Sequence, residues 1–381
     1  MTAMSIDEES VAPLLARAEL FARERIAPAT SRPEAPIGND VLEQLSREAA
    51  ELGILAAPGA EGGFGLWAGV DRPHEMAFHI GVLKHVAHAN AGVAFAWHRG
   101  ALARYLAGAL GLDLAGASAL DATLAPTGAS GLGRTSLAHW LHGAALQPEE
   151  TALLADWLDR QSHAAMLIAP EDWKTVLWPV WRDGAIRWEA ARREDLSVER
   201  RHPQHGLHEL AAFTIQGGRG EGAALPSGET HECRELYARI LKIDMIGLLA
   251  MGAGAGARGL EMASGHASVR RQDGKLIGEY PDMQQMLADF DLALSSADIA
   301  LRSCARPPDL LDIGGVAAIR VSVNAMLRHA TNQAVKIYGS YGSMRDAAAE
   351  KILRDMNTLK AQAGGTRDLA LFVAGWRGDA E

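Results

Sequence analysis

Apolar residues recur at helical spacing from Ile6 to Ile26 and again from Val41 to Leu52, which predicts two N-terminal helices. The pattern stops at Pro58-Gly59-Ala60-Glu61-Gly62-Gly63-Phe64-Gly65 and resumes from about His74 to Leu110. Gly111 to Gly133 is rich in small residues and weakly patterned, so a boundary is placed there. The period then shortens. Ala164 to Ala169 is a short apolar run that ends at Pro170. Thr175–Trp181 and Ala185–Ala190 flank Arg182-Asp183-Gly184, an Asp-Gly hairpin signal. Pro179 points to a sheet edge, because proline brings no N–H to a ladder. Ala211 to Ile215 is a further strand, and tryptophans concentrate between Trp140 and Trp188. Helical spacing returns from His231. Met283, Met286, Leu287, Phe290 and Leu294 form one buried stripe. Pro307-Pro308 interrupts it, a long helix follows from Val316 to Tyr338, and helices continue to near Trp376. The prediction is a mainly α chain with a small β domain. An N-terminal helical domain covers 1–133, a reduced middle β domain 134–228, and a C-terminal helical bundle 229–381.

Composition narrows the function. The 381 residues are 48% hydrophobic and 22% charged, which excludes a disordered chain and allows two or three domains. Apolar runs stay short of the roughly 18 residues of a membrane span. The acidic start, Met1 to Glu9, lacks the basic and apolar regions of a signal peptide. Lys and Arg number 37 against 47 Asp and Glu, a net −10, which argues against a nucleic-acid partner. Cys233 and Cys304 are too few for a disulfide framework or a Cys-rich zinc site, so a reducing, cytoplasmic setting is expected.

Gly252-Ala253-Gly254-Ala255-Gly256-Ala257-Arg258-Gly259 has glycines at dinucleotide-loop spacing but lacks the preceding strand, and it continues a helix. It reads as a helix whose small residues allow close packing. His202-Pro203-Gln204-His205-Gly206-Leu207-His208 reads as a solvated turn, since a metal needs three or four converging ligands. Asp244 lies inside the apolar run Ile240 to Leu249. A carboxylate there must find a partner, reach water or carry a raised pKa. Two readings stand: an Asp on a polar face beside Lys242, or a general base facing a pocket. Asp289 is expected to pair with an arginine, and Arg354-Asp355 to form a surface or inter-helix ion pair.

The C-terminal half resembles the acyl-CoA dehydrogenase family of flavoproteins. Arg270-Arg271-Gln272-Asp273-Gly274 resembles the family's Arg-x-x-Phe-Gly, and Gln284 with Leu287-Ala288-Asp289 its Gln-x-x-Leu-Ala-Asp. Ile337-Tyr338-Gly339-Ser340-Tyr341-Gly342 resembles its Leu-Gly-Gly-x-Gly turn; Arg354-Asp355 and Gly365-Thr366 resemble pairs in its last helices. Leu52-Gly53-Ile54-Leu55, Pro58 and Gly62-Gly63-Phe64-Gly65 resemble its N-terminal segment. The resemblance implies a helical domain, a middle β domain and a C-terminal four-helix bundle. It also implies FAD bound between subunits and α,β-dehydrogenation of an acyl-CoA or other acyl thioester. Arg270 would meet the pyrophosphate, Gln284 the adenine half, Gly339 and Gly342 the cofactor through close backbone, and Thr366 the cofactor from the last helices. A homo- or hetero-oligomer and an electron acceptor such as an electron-transfer flavoprotein follow.

The family's Thr-Glu-Pro-x-Ala-Gly-Ser-Asp and Trp-Ile-Thr strands have no counterpart beyond an echo at Thr127-Gly128-Ala129-Ser130-Gly131. Its usual catalytic glutamate is replaced by Ala363-Gly364. One branch of the family places that glutamate twenty-six residues before the motif arginine, where this chain has Asp244. Asp244 is therefore the expected base. The resemblance leaves two alternatives: a catalytically degenerate partner subunit of a hetero-oligomeric acyl-CoA dehydrogenase, and a flavin-dependent monooxygenase of the same fold.

Overall fold

A computed structural model of the chain describes residues 8–31, 36–56, 65–72, 74–112, 114, 118, 120–125, 136–163, 165–202, 204–217, 229–345 and 347–378. Most of the predicted break at Pro58–Gly65 and the echo at Thr127–Gly131 lie outside the described residues.

The N-terminal part is helical: α1 (Glu8–Phe21), a π-helical turn (Ala22–Ile26), α2 (Ala27–Ala29), α3 (Asn39–Glu51), α4 (Glu75–Ala89) and α5 (Ala91–Ala109). In α3 the buried set Leu42, Leu45, Ser46 and Ala49 has the spacing of one helix face. The predicted stretch His74–Leu110 is divided at Asn90. This residue is extended (φ −161°, ψ 120°), and its side chain accepts from the Val93 amide at 2.9 Å, capping α5.

The middle part holds β1 (Ala122–Leu124), α6 (Ser136–His142), α7 (Pro148–His163), β2 (Ala165–Ala169), β3 (Thr175–Arg182), β4 (Ala185–Arg192), β5 (Leu196–Arg201) and β6 (Ala211–Gly217). Two three-stranded sheets form, in the orders β1-β3-β4 and β2-β6-β5. Asp183 (φ 52°) and Gly184 (φ 75°) both take the left-handed conformation that a two-residue hairpin turn needs. Pro179 is not on an edge strand, because β3 is the middle strand of its sheet. It is tolerated because β1 pairs only with Thr175–Leu177 and ends before it. A sheet domain starting at 134 would leave β1 outside, and two helices precede its second strand.

The C-terminal part is built on α8 (Thr230–Val269), a 40-residue helix opened by a Glu229/Glu232 capping box. It is buried almost all round from Tyr237 to Gly256, and packs on α4 and α5. Its other neighbours are α9 (Pro281–Ser303), α10 (Ile313–Ile337) and α11 (Ala348–Ala361); α12 (Thr366–Gly378) lies on α10. Between α8 and α9 sits a small ribbon, β7 (Arg271–Gln272) and β8 (Lys275–Leu276). The predicted α9 stripe packs as expected: Phe290 is buried, and Met283, Met286, Leu287 and Leu294 pack around the same small core. The glycine-rich run serves close packing. A Cβ on Gly254 would collide with the Lys84 carbonyl of α4, and Gly252, Gly256 and Gly259 face core side chains. By length and composition α8 could cross a membrane, but 94% of its apolar window is buried inside the fold, as in a core helix.

Candidate functional site

Asp244 lies on α8 where that helix is crossed by α5 and α10, and it is fully buried. Its Oδ2 accepts from Arg99 Nη1 at 2.9 Å, and its Oδ1 lies 2.9 Å from His98 Nε2. Arg99 and His98 are consecutive on α5, and both are buried. Lys242 is not its partner: the ammonium donates to the carbonyls of Pro308 (2.6 Å) and Leu311 (3.2 Å). Burial pulls the Arg320 guanidinium down to about 10, with Asp244 opposing and Arg99 adding to the fall. Arg320 Nη2 donates to the carbonyls of Gln362 (2.6 Å) and Leu359 (3.0 Å), and Nη1 to that of Met245 (3.3 Å). Arg99 Nη2 also reaches Gln362 Oε1 at 3.4 Å. One buried anion thus joins the N-terminal helices to the turn before α12, where Ala363 (φ 54°) and Gly364 (φ 83°) reverse the chain.

A third element completes the cluster. Trp67, fully buried at φ 64°, donates its indole N–H to His98 Nδ1 at 3.0 Å. Its backbone amide lies 3.2 Å from His79 Nδ1, whose Nε2 faces the Ala68 carbonyl at 3.1 Å. Burial depresses the His79 imidazole to about 3; the Ala68 carbonyl opposes this, and Arg72 contributes to it. Burial lowers His98 as well, against the pull of Asp244 and with the help of Arg99 and Arg320.

The expected cofactor residues stand apart from Asp244. Arg270 is the C-cap of α8, twenty-six residues on, or roughly 40 Å along a helix. Its side chain is exposed and has no ion pair among the described residues. Gln284 lies nearby in the chain path, its Nε2 donating to the Gly278 carbonyl at 3.2 Å, while the Arg270 carbonyl accepts from Ile277. Gly339 follows α10 and joins this end of α8 through Tyr338, which stacks on His266 and donates to the Met262 carbonyl. At Gly339 (φ +62°) nothing lies within 4 Å of where a Cβ would stand, whereas a Cβ on Gly342 would meet Tyr338 Cβ and the Val335 carbonyl of its own turn. An exposed guanidinium without an ion pair among the described residues fits a pyrophosphate group. Thr366 is half-buried at the start of α12.

Three further expectations resolve differently. The partner of Asp289 is Gln285 at 2.7 Å, not an arginine. Arg354 pairs with Glu350 at 2.6 Å, and Asp355 pairs with Lys351, so the two neighbours do not pair with each other. The histidine-rich turn is tied to α11: Arg354 bonds His208 and donates to the His205 carbonyl at 3.0 Å. Among the described residues, no group of His, Cys, Asp and Glu is arranged to hold a metal ion.

His98, Arg99, Arg320 and Trp67 were not singled out from sequence. His98-Arg99 sits in the apolar stretch Ala91–Gly100, and Arg320 in Val316–Leu327. Both stretches give the signal that marked Asp244, an ionisable residue in an apolar helical run.

Residues 238–373 match the family model described as acyl-CoA dehydrogenase, C-terminal domain. The chain is 28% identical over 128 residues to a 3-sulfinopropanoyl-CoA desulfinase of Paraburkholderia xenovorans, covering 33% of this chain and 32% of that protein. It is 27% identical over 172 residues to a cyclohex-1-ene-1-carbonyl-CoA dehydrogenase of Syntrophus aciditrophicus, covering 44% and 38%. These curated relatives are thus matched over only about a third of their length. A glutaryl-CoA dehydrogenase of Mycobacterium smegmatis solved with FADH2 shares the fold at TM-score 0.70 and 12% identity, over 97% of this chain and 94% of that one. The chain thus shares that fold along nearly its whole length, and its α8–α12 segment matches the C-terminal domain of the acyl-CoA dehydrogenase family.

Proposed function

We propose that the chain is a subunit of an FAD-dependent oxidoreductase that removes hydrogen across the Cα–Cβ bond of an acyl-CoA or related acyl thioester. The observation that carries this reading is the dehydrogenase C-terminal domain over residues 238–373, with Asp244 inside it. Bound FAD supplies the hydride acceptor; an electron-transfer flavoprotein is the proposed onward acceptor. Arg270 meets the pyrophosphate, Gln284 the adenine half, Gly339 and Gly342 lend close backbone, and Thr366 approaches from α12. The length of α8 between Asp244 and Arg270 exceeds one cofactor's reach, which favours a site shared by two subunits. The Asp244 carboxylate accepts the α-proton. Arg99 donates to it, and enclosure among apolar helices keeps water from competing. A reducing compartment suits the two free, buried cysteines.

A second reading, the catalytically degenerate partner subunit, is favoured by one observation. Asp244 is fully buried between two buried arginines, a setting that also suits a purely structural anion. The test is direct. Purified alone, the chain should be yellow, release stoichiometric FAD, and lose colour anaerobically with an acyl-CoA. Asp244→Asn should keep the colour and lose the bleaching. A colourless chain that gains flavin only with a full-motif homologue would establish the second reading. Arg270→Ala should weaken flavin retention roughly tenfold, the size of a lost charge-assisted contact.

A further inference from the structure

The hydrogen bonds around Asp244 run in one direction. An indole nitrogen only donates. With Trp67 Nε1 3.0 Å from His98 Nδ1, Nδ1 must be the unprotonated nitrogen of that ring. The single imidazole proton then sits on Nε2 and is donated to Asp244 Oδ1 at 2.9 Å. We propose that Trp67 is a positioning residue: it locks His98 in the neutral Nε2–H tautomer, so that the carboxylate of Asp244 meets a fixed donor on that side and not another buried cation. This rests on Asp244 being the base.

The surroundings support the lock from several sides. A second proton on His98 would set Nδ1–H against the indole N–H, two donors with no acceptor between them, in a site closed to water. The charged groups facing His98 are Asp244 from α8, Arg99 from its own helix and Arg320 from α10, so two cations already oppose a third. Trp67 is itself held in place. Its amide donates to His79 Nδ1, and the Ala68 carbonyl accepts the proton on His79 Nε2, so the same tautomer argument applies there. Behind His79 stand Glu75, 4.0 Å away, and Arg72, 3.5 Å from Glu75. Both imidazole–indole contacts are close, with ring centroids 5.1 Å from His79 and 5.5 Å from His98. Gly247 leaves the space: a Cβ there would meet His98 and Trp67 Cζ2.

The consequence is chemical. A carboxylate beside one arginine and a neutral imidazole is a stronger base than one beside an arginine and an imidazolium, because each nearby cation stabilises the anion.

The experiment is nitrogen NMR of histidine-labelled protein, with Trp67→Phe as the variant, since phenylalanine keeps an aromatic ring and lacks the N–H. In wild type, His98 should show an unprotonated Nδ1 and a protonated Nε2 throughout about pH 8 to 5.5. In Trp67→Phe, His98 should take up a second proton, on Nδ1, within that window. Flavin reduction by an acyl-CoA should then gain an acid limb, slowing on the order of tenfold more than wild type toward pH 5.5. A wild-type His98 protonated on Nδ1, or a Trp67→Phe spectrum identical to wild type, would overturn the proposal. Should the variant not fold, the wild-type spectrum still decides, because the lock requires an unprotonated Nδ1. The spectra need neither flavin nor substrate. If Asp244→Asn still bleaches its flavin, the base assignment fails, and the tautomer result is read independently of it.

Discussion

Among the described residues, two buried ionic clusters are built oppositely. Around Asp244 one anion faces two buried arginines and a histidine. Around Lys351 one cation serves two carboxylates, Glu209 at 2.8 Å and Asp355. The second cluster is closed by structural groups: the Leu207 amide donates to Asp355 at 2.7 Å, and Asn90, the cap of α5, donates to Glu209 at 2.8 Å. Burial raises the Asp355 carboxyl, with Glu209 adding to the rise and Lys351 opposing it. Its members tie the turn after β5 to α11 and to the start of α5. The Asp244 cluster ties together as many elements, but it also holds an imidazole, His98, whose protonated form burial disfavours. Burial of charge alone therefore does not mark a site.

The largest effect is expected at Lys351. Lys351→Met leaves two carboxylates buried together without a cation and should cost about 3–5 kcal/mol in urea unfolding at neutral pH. Part of the loss should return in acid, where a carboxylate can take a proton. A loss under about 1 kcal/mol would mean that the cluster is not the structural tie described.

Acid should act in the opposite sense on the other cluster. His79 is held near 3 when folded and lies near 6.5 when unfolded. Above pH 6.5 both states are neutral and stability is fully present. Below it the unfolded chain binds a proton that the folded chain refuses, so stability falls with pH until about 3. The loss should be about 1.4 kcal/mol per pH unit, or about 3 kcal/mol by pH 4.5. His98 is shifted in the same direction and should steepen the loss. His79→Gln should flatten the wild-type slope; an unchanged slope would remove His79 from this account.

A matched pair of glycines gives the smallest and most selective comparison. A Cβ on Gly247 would press on His98 and Trp67, whereas a Cβ on Gly92 would press on Glu209. Each Gly→Ala substitution should cost about 1–3 kcal/mol by overpacking. Only Gly247→Ala should also slow flavin reduction by an acyl-CoA. Equal slowing by Gly92→Ala would erase the distinction between the clusters.

The fold class was legible because helical stripes and the hairpin signal are local patterns, and because motifs in α8–α10 resemble a family. What stayed hidden depends on tertiary contacts. Asn90 interrupts no hydrophobic stripe, so the division of α4 from α5 left no periodic trace. Strand β5 carries Ser197, Glu199, Arg200 and Arg201, and its exposed, polar character hid it. Strand β1 is three residues long, too short for a pattern. Asp244 was visible as a charge in an apolar run. Its partners were not, because no local pattern says which faces of α5, α8 and α10 meet, or that a loop tryptophan reaches between them.

We propose that Asp244 is the working carboxylate of a flavin site, whereas Lys351 is the centre of a structural cluster. This is tested most directly by mixing the purified, flavin-loaded chain with an acyl-CoA without oxygen and following the flavin absorbance. Wild type should bleach, Asp244→Asn should stay yellow, and Lys351→Arg, which keeps the charge, should bleach as wild type does. Bleaching by Asp244→Asn at the wild-type rate would contradict the account.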